Sequence, residues 1–171
     1  VAAIEASRLS VLLDIRQPQA YLALQPAARL AADCGIEINW LPVAVPALKA
    51  PSEPGTDDDR GILHRRIRAQ AVAREIATYA QVQGLVIEEY YREGAADLFN
   101  LSWLWVRDRH PTRLFDYLKE SFRAYWALEL DLADDDAIRD LLERCGVGGP
   151  DFVAWKQGAG LEVASELAGE L

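Results

Sequence analysis

The sequence feature that most constrains the fold is an apolar strand that runs directly into a helix. Residues 9–14 are apolar enough for a buried strand, and Pro18 follows where the first turn of a helix is expected. Proline suits that position because its missing N–H is one that the helix would leave unpaired. The N–H groups just before Pro18 and the positive end of the helix dipole predict a turn that binds a thiolate or another anion.

At this turn the residues are Gln17, Pro18, Gln19 and Ala20, and none of them carries a thiol. In thioredoxin-like redox proteins the same strand–turn–helix carries Cys-Pro-x-Cys, and the helix end stabilises a cysteine thiolate. The sequence therefore keeps the frame of that turn without its two thiols. We predict that the chain neither reduces nor oxidises disulfides, because no thiol of low pKa stands at the start of this helix.

Residues 9–43 resemble the first βαβ unit of DsbA-like proteins. The resemblance is greatest to the branch that holds 2-hydroxychromene-2-carboxylate isomerases and kappa-class glutathione transferases. Those enzymes usually read Asp-Phe-x-Ser-Pro-x-x-Tyr-Leu-Ala, where positions 14–23 here read Asp-Ile-Arg-Gln-Pro-Gln-Ala-Tyr-Leu-Ala. The family's Tyr-Gly-Val segment and its strand ending in Trp-x-Pro-Val correspond to Cys-Gly-Ile-Glu-Ile-Asn-Trp-Leu-Pro-Val at positions 34–43.

The resemblance implies an α/β, thioredoxin-like fold in two parts. Residues 1–48 would form the βαβ unit, and residues 49–171 a large all-helical insertion domain with the start of the return helix. In the family a second half follows, with a Gly-Val-Pro segment that holds a cis proline. The candidate for that segment, residues 148–150, is predicted to open a helix because no paired strand follows. We therefore expect the C-terminal half of the thioredoxin fold to be absent from this sequence.

Hydrophobic periodicity predicts two strands near the start and then only helices. A two-stranded parallel sheet is marginal alone, and both of its faces need cover when helices flank it. We therefore expect Val11 and Leu13 to be covered on one face and Leu12 on the other. The predicted strands are 9–14 and 36–43, and the predicted helices are 18–32, 57–84, 95–109, 115–126, 134–145, 149–155 and 161–171.

The resemblance implies a glutathione-associated isomerase or transferase that acts on a small aromatic substrate. Gln17 takes the position of the family's serine or cysteine and is the candidate catalytic residue. Its amide is a poor nucleophile, but it can donate a hydrogen bond to a bound sulfur or to an enolate oxygen. Glutathione is the expected cofactor, no metal is expected, and the candidate ligand-binding residues are Arg16, Pro18, Gln19, Tyr21 and Trp40.

Two alternatives to this function stay open. The first is a non-catalytic member of the family that binds a ligand or a partner through the same cleft. The second is a thiol–disulfide oxidoreductase, which the missing cysteines contradict although the label oxidoreductase is common at family level. Fold-level analogy is a weak guide to activity, so the sequence leaves the choice between an active and a disabled site open.

Charge and composition narrow the expected partners. The net charge of −9 argues against nucleic acid and against an anionic membrane surface. The N-terminal residues lack the basic and then apolar segments of a signal peptide. We therefore expect a cytoplasmic protein with a small-molecule substrate, and a homodimer is compatible with the sequence. His64 and His110 are too isolated to form a metal site.

Three groups of side chains have both a structural and a functional interpretation, and we favour the structural one for each. Cys34 and Cys145 each precede a glycine at a helix end and are expected to be small packed hydrophobes. The basic face of residues 64–74 could bind glutathione but is expected to be solvated. The third group could line an aromatic pocket but is expected to form core: Trp103, Trp105, Phe122, Tyr125 and Trp126.

Overall fold

The structure, a computed structural model, describes residues 8–46, 48, 50 and 60–163. The sequence predicted each element below to within a few residues. The predicted helix start at residues 57–59 and the predicted helix beyond residue 163 lie outside the described residues. The elements are β1 (Arg8–Leu13), α1 (Pro18–Cys34), β2 (Glu37–Pro42), α2 (Arg60–Gln83), α3 (Asp97–Arg109), α4 (Leu114–Trp126), α5 (Asp135–Arg144) and α6 (Gly149–Lys156), with a 3₁₀ turn at Pro111–Arg113.

The two strands form a parallel sheet, as the sequence predicted, with Val11 opposite Trp40 and Leu12 opposite Leu41. One face is buried, because Trp40 is 6% exposed and stacks on Phe115 of α4 with ring centroids 5.9 Å apart. On the other face Leu12 is 57% exposed. The prediction that both faces are covered is therefore wrong, because the described helices leave the Leu12 face open to solvent.

Helix α1 begins at Pro18, as predicted, and ends at Gly35 with a left-handed φ of 65°. An internal proline, Pro26, cannot donate the usual hydrogen bond to the carbonyl of Leu22, four residues earlier. The side chain of Gln83, at the end of α2, supplies the missing donor at 3.1 Å. Pro26 thus leaves the Leu22 carbonyl available to accept this hydrogen bond, which joins α2 to α1.

The core lies between the βαβ unit and the helical layer formed by α3, α4 and α5. The five aromatic residues that could have lined a pocket are all buried there, which confirms that they belong to the core: Trp103, Trp105, Phe122, Tyr125 and Trp126. Inside this layer the Tyr117 hydroxyl lies 2.7 Å from Ser102 Oγ, so both buried hydroxyl groups have a partner. Tightly packed rings on adjacent helix turns give α3 and α4 a fixed position beside the strand ends.

Helix α2 packs against α1 and is otherwise largely exposed. Its basic residues His64, Arg65, Arg68 and Arg74 face solvent, in agreement with the solvated interpretation. Apolar side chains are also exposed along this helix, among them Tyr79. None of the helices in the described ranges is long and apolar enough to span a membrane.

The two cysteines differ in their surroundings. Cys145 is half-buried and packs against the core, as expected, and burial raises the pKa of its thiol. Cys34 is exposed at the last turn of α1, so the prediction that it is packed is wrong. The physical reason is that the buried stripe of α1 ends at Ala31, one turn earlier, and Cys34 projects away from it.

Candidate functional site

The turn between β1 and α1 is organised by a buried carboxylate. The Asp14 side chain, 1% exposed, accepts hydrogen bonds from the backbone N–H groups of Arg16 and Val45, each at 2.9 Å. It also accepts two bonds from the Arg16 guanidinium, at 3.0 Å from Nε and 2.7 Å from Nη2. Four donors converge on one carboxylate, so Asp14 fixes both the turn and the loop after β2.

The Arg16 guanidinium is committed to the protein's own structure. Beyond Asp14, it donates to the carbonyl of Val45 at 3.2 Å and to the carbonyl of Gly94 at 3.1 Å. The hydrogen bond that Arg16 donates to the Asp14 carboxylate raises the pKa of Arg16. Arg16, which the sequence analysis placed among the ligand-binding residues, thus links the βα turn to the segment before α3.

The backbone N–H groups just before Pro18 are already used. Arg16 N donates to the Asp14 carboxylate, and Gln17 N donates to the Asp14 carbonyl at 3.0 Å. Ala20 N closes the first turn on the Gln17 carbonyl, also at 3.0 Å. The prediction of free N–H groups ahead of the helix is therefore wrong, because the turn satisfies them internally.

The Gln17 side chain is held by the loop that follows β2. Its Nε2 donates to the Pro46 carbonyl at 3.0 Å. The loop is itself fixed by Val43 N, which donates to the Leu13 carbonyl at 3.0 Å. The amide oxygen of Gln17 is left as a hydrogen-bond acceptor, and Gln17 offers no nucleophile at this position.

Of the other sequence-derived ligand candidates, Gln19 and Tyr21 line depressions beside α1, whereas Pro18 and Trp40 do not. Tyr21 stacks on Phe122 with centroids 5.8 Å apart, and burial raises the pKa of its phenol. Trp40 is buried in the sheet face, and Pro18 is buried at the start of α1. Gln19 is exposed and lines a groove between α1 and α2. Tyr21 and Trp40 therefore act as core residues that support the turn.

A cleft of about 520 Å³ adjoins this turn at Gly94, the residue whose carbonyl accepts from Arg16. Its walls are the segment before α3, the end of α4 and the loop that leads into α5. Sequence reasoning missed this cleft, although Tyr125 belonged to the aromatic group considered as a pocket. The lining residues are Arg92, Glu93, Gly94, Ala95, Tyr125, Leu128, Glu129, Leu130, Asp131, Leu132, Ala133, Asp134 and Ala137.

Arg92 and Tyr125 form the polar centre of the cleft. The guanidinium carbon of Arg92 lies 4.0 Å from the centroid of the Tyr125 ring, and Nη1 donates to the Tyr125 carbonyl. Tyr125 is 2% exposed, and its hydroxyl has no hydrogen-bond partner among the described residues. Burial raises the pKa of this phenol, so it carries its proton at neutral pH. Because this hydroxyl is itself buried, the Arg92 guanidinium is the polar side-chain group that Arg92 and Tyr125 together present to the cleft.

The carboxylates that line the cleft are mostly engaged elsewhere. Asp131 accepts from Ala133 N at 2.9 Å, and Asp134 caps α5 by accepting from two backbone N–H groups. Glu129 pairs with Arg123 at 2.7 Å, on the surface of α4. Arg92 is the one basic residue that lines the cleft, and it forms no ion pair within the described ranges. Arg92 is therefore the one cationic group of a lining that also holds four acidic side chains, including Glu93.

These elements together define a DsbA-like thioredoxin fold, in which a parallel strand pair and helix α1 pack beside a layer of helices. The chain is similar to the solved structure of a 2-hydroxychromene-2-carboxylate isomerase, with a TM-score of 0.62 and 16% sequence identity. The alignment covers 94% of this chain and 76% of that one. Neither a family model nor a curated protein sequence matches the chain. The similarity confirms the DsbA-like thioredoxin fold that the resemblance implied, whereas the helical insertion domain and the absent C-terminal half stay predictions.

Proposed function

We propose that this protein is a glutathione-associated isomerase or transferase that works without thiol–disulfide chemistry. Its substrate would be a small aromatic acid held in the cleft between the βα turn and the helical layer. The observation that carries the proposal is the position of the cleft: Arg16 donates a hydrogen bond to the carbonyl of Gly94, which lines the cleft, so the turn before α1 adjoins it.

Three residues have roles in this proposal. Arg92 binds the carboxylate of the aromatic acid, because its guanidinium lines the cleft without an ion pair there. The Tyr125 ring supports Arg92 in this position, because the guanidinium carbon lies 4.0 Å from the centroid of the ring. Gln17 offers its side-chain amide to the glutathione sulfur at the positive end of α1. No residue in this set forms a covalent bond to the substrate.

Glutathione binding at the turn is expected to be weak. The α1 dipole and a few hydrogen bonds each contribute on the order of 1 kcal/mol. That set of contacts supports a dissociation constant in the millimolar to high-micromolar range. Replacing Gln17→Glu should weaken binding, because a second negative charge would oppose the thiolate.

The test combines calorimetry with an isomerase assay. Glutathione is titrated to millimolar concentration, and turnover of 2-hydroxychromene-2-carboxylate is followed by its ultraviolet absorption with glutathione present. Gln17→Ser restores the family's residue and should raise any isomerase activity, whereas Gln157→Ser, on the exposed end of α6, should change nothing. Arg92→Ala should weaken binding of the aromatic acid by about 10- to 100-fold, as expected for a lost charge-assisted bond. Absence of both glutathione binding and turnover would overturn the enzymatic proposal.

A non-catalytic ligand-binding protein is the second candidate, and one observation favours it. The N–H groups of Arg16 and Gln17 and the side-chain amide of Gln17 all have partners within the protein. A turn whose donors are already satisfied stabilises an added thiolate less than an open one. Binding of the aromatic acid that depends on Arg92, without turnover in wild type or in Gln17→Ser, would support this candidate.

A further inference from the structure

A groove between α1 and α2 is separate from the cleft, and none of the cleft residues lines it. Its wide part, about 820 Å³, lies between α1, the end of α2 and α4. A narrower part, about 390 Å³, continues between α1 and α2. The two parts share Pro26, Tyr79 and Gln83, so they form one elongated depression that passes the contact between Gln83 and Leu22.

The narrow part of the groove is mainly apolar. Leu22 and Ala23 of α1 face Val72 and Ile76 of α2 across it. Tyr79 lies at the junction with the wide part, and its side chain is 54% exposed. Exposed apolar surface between two helices is unfavourable in water and favours a ligand with a hydrocarbon portion.

The wide part of the groove is positively charged. Arg29, Lys119 and Arg123 line it, and no aspartate or glutamate does. Lys119 pairs with Asp116, and Arg123 pairs with Glu120 and Glu129, but these carboxylates stand outside the lining. Arg29 forms no ion pair among the residues that the structure describes. Arg29 is thus the cation of this end without a counterion among those residues, and Glu75 is the one charged residue that lines the narrow part.

We propose that this groove binds a long-chain carboxylate. The carboxylate lies at the wide end beside Arg29, and the hydrocarbon chain runs past Tyr79 between Leu22 and Ile76. The order of cationic end and then apolar channel matches the head and tail of such a molecule. The volumes of both parts fall in the range of small-molecule sites. Arg29 can snorkel, so its methylene groups cover the chain while its guanidinium binds the head.

The test is a calorimetric titration with dodecanoate below its micellar concentration, on the whole chain. One molecule should bind per protein. Octanoate should bind at least about tenfold more weakly, because each methylene withdrawn from an apolar surface lowers affinity. Dodecyltrimethylammonium carries the same chain with a cationic head and should bind at least about tenfold more weakly, since its charge opposes Arg29.

Two variants test where the ligand binds, and a third variant serves as the matched control. Arg29→Glu and Tyr79→Asp alter exposed positions at the head and tail, and each should weaken dodecanoate binding about tenfold or more. Arg65→Glu reverses an exposed charge on α2 outside the groove and should leave affinity within about twofold. Circular dichroism confirms that each variant is folded.

Other results would overturn the proposal. The proposal would be wrong if dodecanoate and dodecyltrimethylammonium bound with equal affinity. It would also be wrong if many molecules bound per chain, or if binding did not saturate. A loss of dodecanoate binding in Arg92→Ala with retention in Arg29→Glu would place the ligand in the cleft and refute the groove. The reverse pattern supports the groove whether or not glutathione binds at the turn, so the two proposals fail separately.

Discussion

Replacement of Asp14 by alanine should destabilise the protein more than any other substitution in the βα turn. The carboxylate accepts four hydrogen bonds, two from backbone N–H groups and two from the Arg16 guanidinium. Alanine removes the acceptor of all four hydrogen bonds and leaves a partly buried cation without its counterion. The same change loosens Val45, and through it the loop that holds Gln17.

The expected loss follows from the burial of the pair. Breaking a buried ion pair by removing one partner costs about 3–5 kcal/mol. The Arg16 side chain is 16% exposed, so water can reach part of the guanidinium, and we expect a loss near the lower end, about 3 kcal/mol. For a domain whose free energy of unfolding is about 5–15 kcal/mol, this is a large fraction.

The assay is urea unfolding followed by tryptophan fluorescence and circular dichroism. Asp140→Ala is the matched control, because it also removes an aspartate paired with an arginine, at a position 55% exposed. Its loss should stay below about 1 kcal/mol. Replacing both Asp14 and Arg16 by leucine should be less harmful than Asp14→Ala alone, since no charge is then left unpaired. An Asp14→Ala variant within about 1 kcal/mol of wild type would refute the reasoning.

Three further outcomes are expected. Leu128→Gly should raise the free energy of unfolding by up to about 1 kcal/mol in the same assay, because Leu128 has a left-handed φ of 61°, which glycine adopts without strain, and is half exposed. A lower free energy of unfolding would contradict this. Gln83→Leu should remove about 1 kcal/mol and speed hydrogen exchange in α2, since it deprives the Leu22 carbonyl of its donor; exposed Gln81→Leu is the control. Iodoacetamide should modify exposed Cys34 before Cys145, whose thiol pKa burial raises, and the Cys145 rate should rise further as the pH increases; equal rates by mass spectrometry would refute this.

The elements that carry local signals were predictable from the sequence. Pro18 marks the start of α1 because proline fits the first helical position. Asp134 caps α5 with its side chain, and the glycine after Cys145 takes a left-handed φ of 68°. These signals act over a few residues, so the chain reveals them without knowledge of its tertiary contacts.

The parts that failed depend on contacts between distant residues. The bond from Arg16 to Gly94 spans 78 positions, and no periodicity marks the irregular segment before α3. The family motif suggested that Tyr21 and Trp40 face a ligand, but packing against Phe122 and Phe115 places both in the core. Whether Leu12 is covered likewise depends on where the helices lie, which strand alternation leaves undetermined.

The role of the predicted site at the Gln17 turn stays a prediction, and the surroundings of that turn differ from the expected ones. The sequence indicated the turn at Gln17, and the structure places the cleft directly beside that turn. Sequence pattern shows which N–H groups a helix start leaves over, but it does not show which of them a neighbouring carboxylate will accept. Asp14 takes that role here because it directly follows β1 and its buried carboxylate lies in the turn.

The hydrogen bond from Gln83 to the carbonyl that Pro26 leaves unpaired also constrains which substitutions this chain can accept during evolution. Proline at 26 leaves the Leu22 carbonyl without its helical donor, and glutamine at 83 fills that vacancy from another helix. If Gln83 is replaced first, the Leu22 carbonyl loses its hydrogen-bond donor. If Pro26 is replaced first, the backbone N–H at position 26 can donate to that carbonyl, and the Gln83 amide is no longer needed there. Positions 26 and 83 should therefore covary: among sequences that share this fold, replacement of Pro26 should accompany replacement of Gln83.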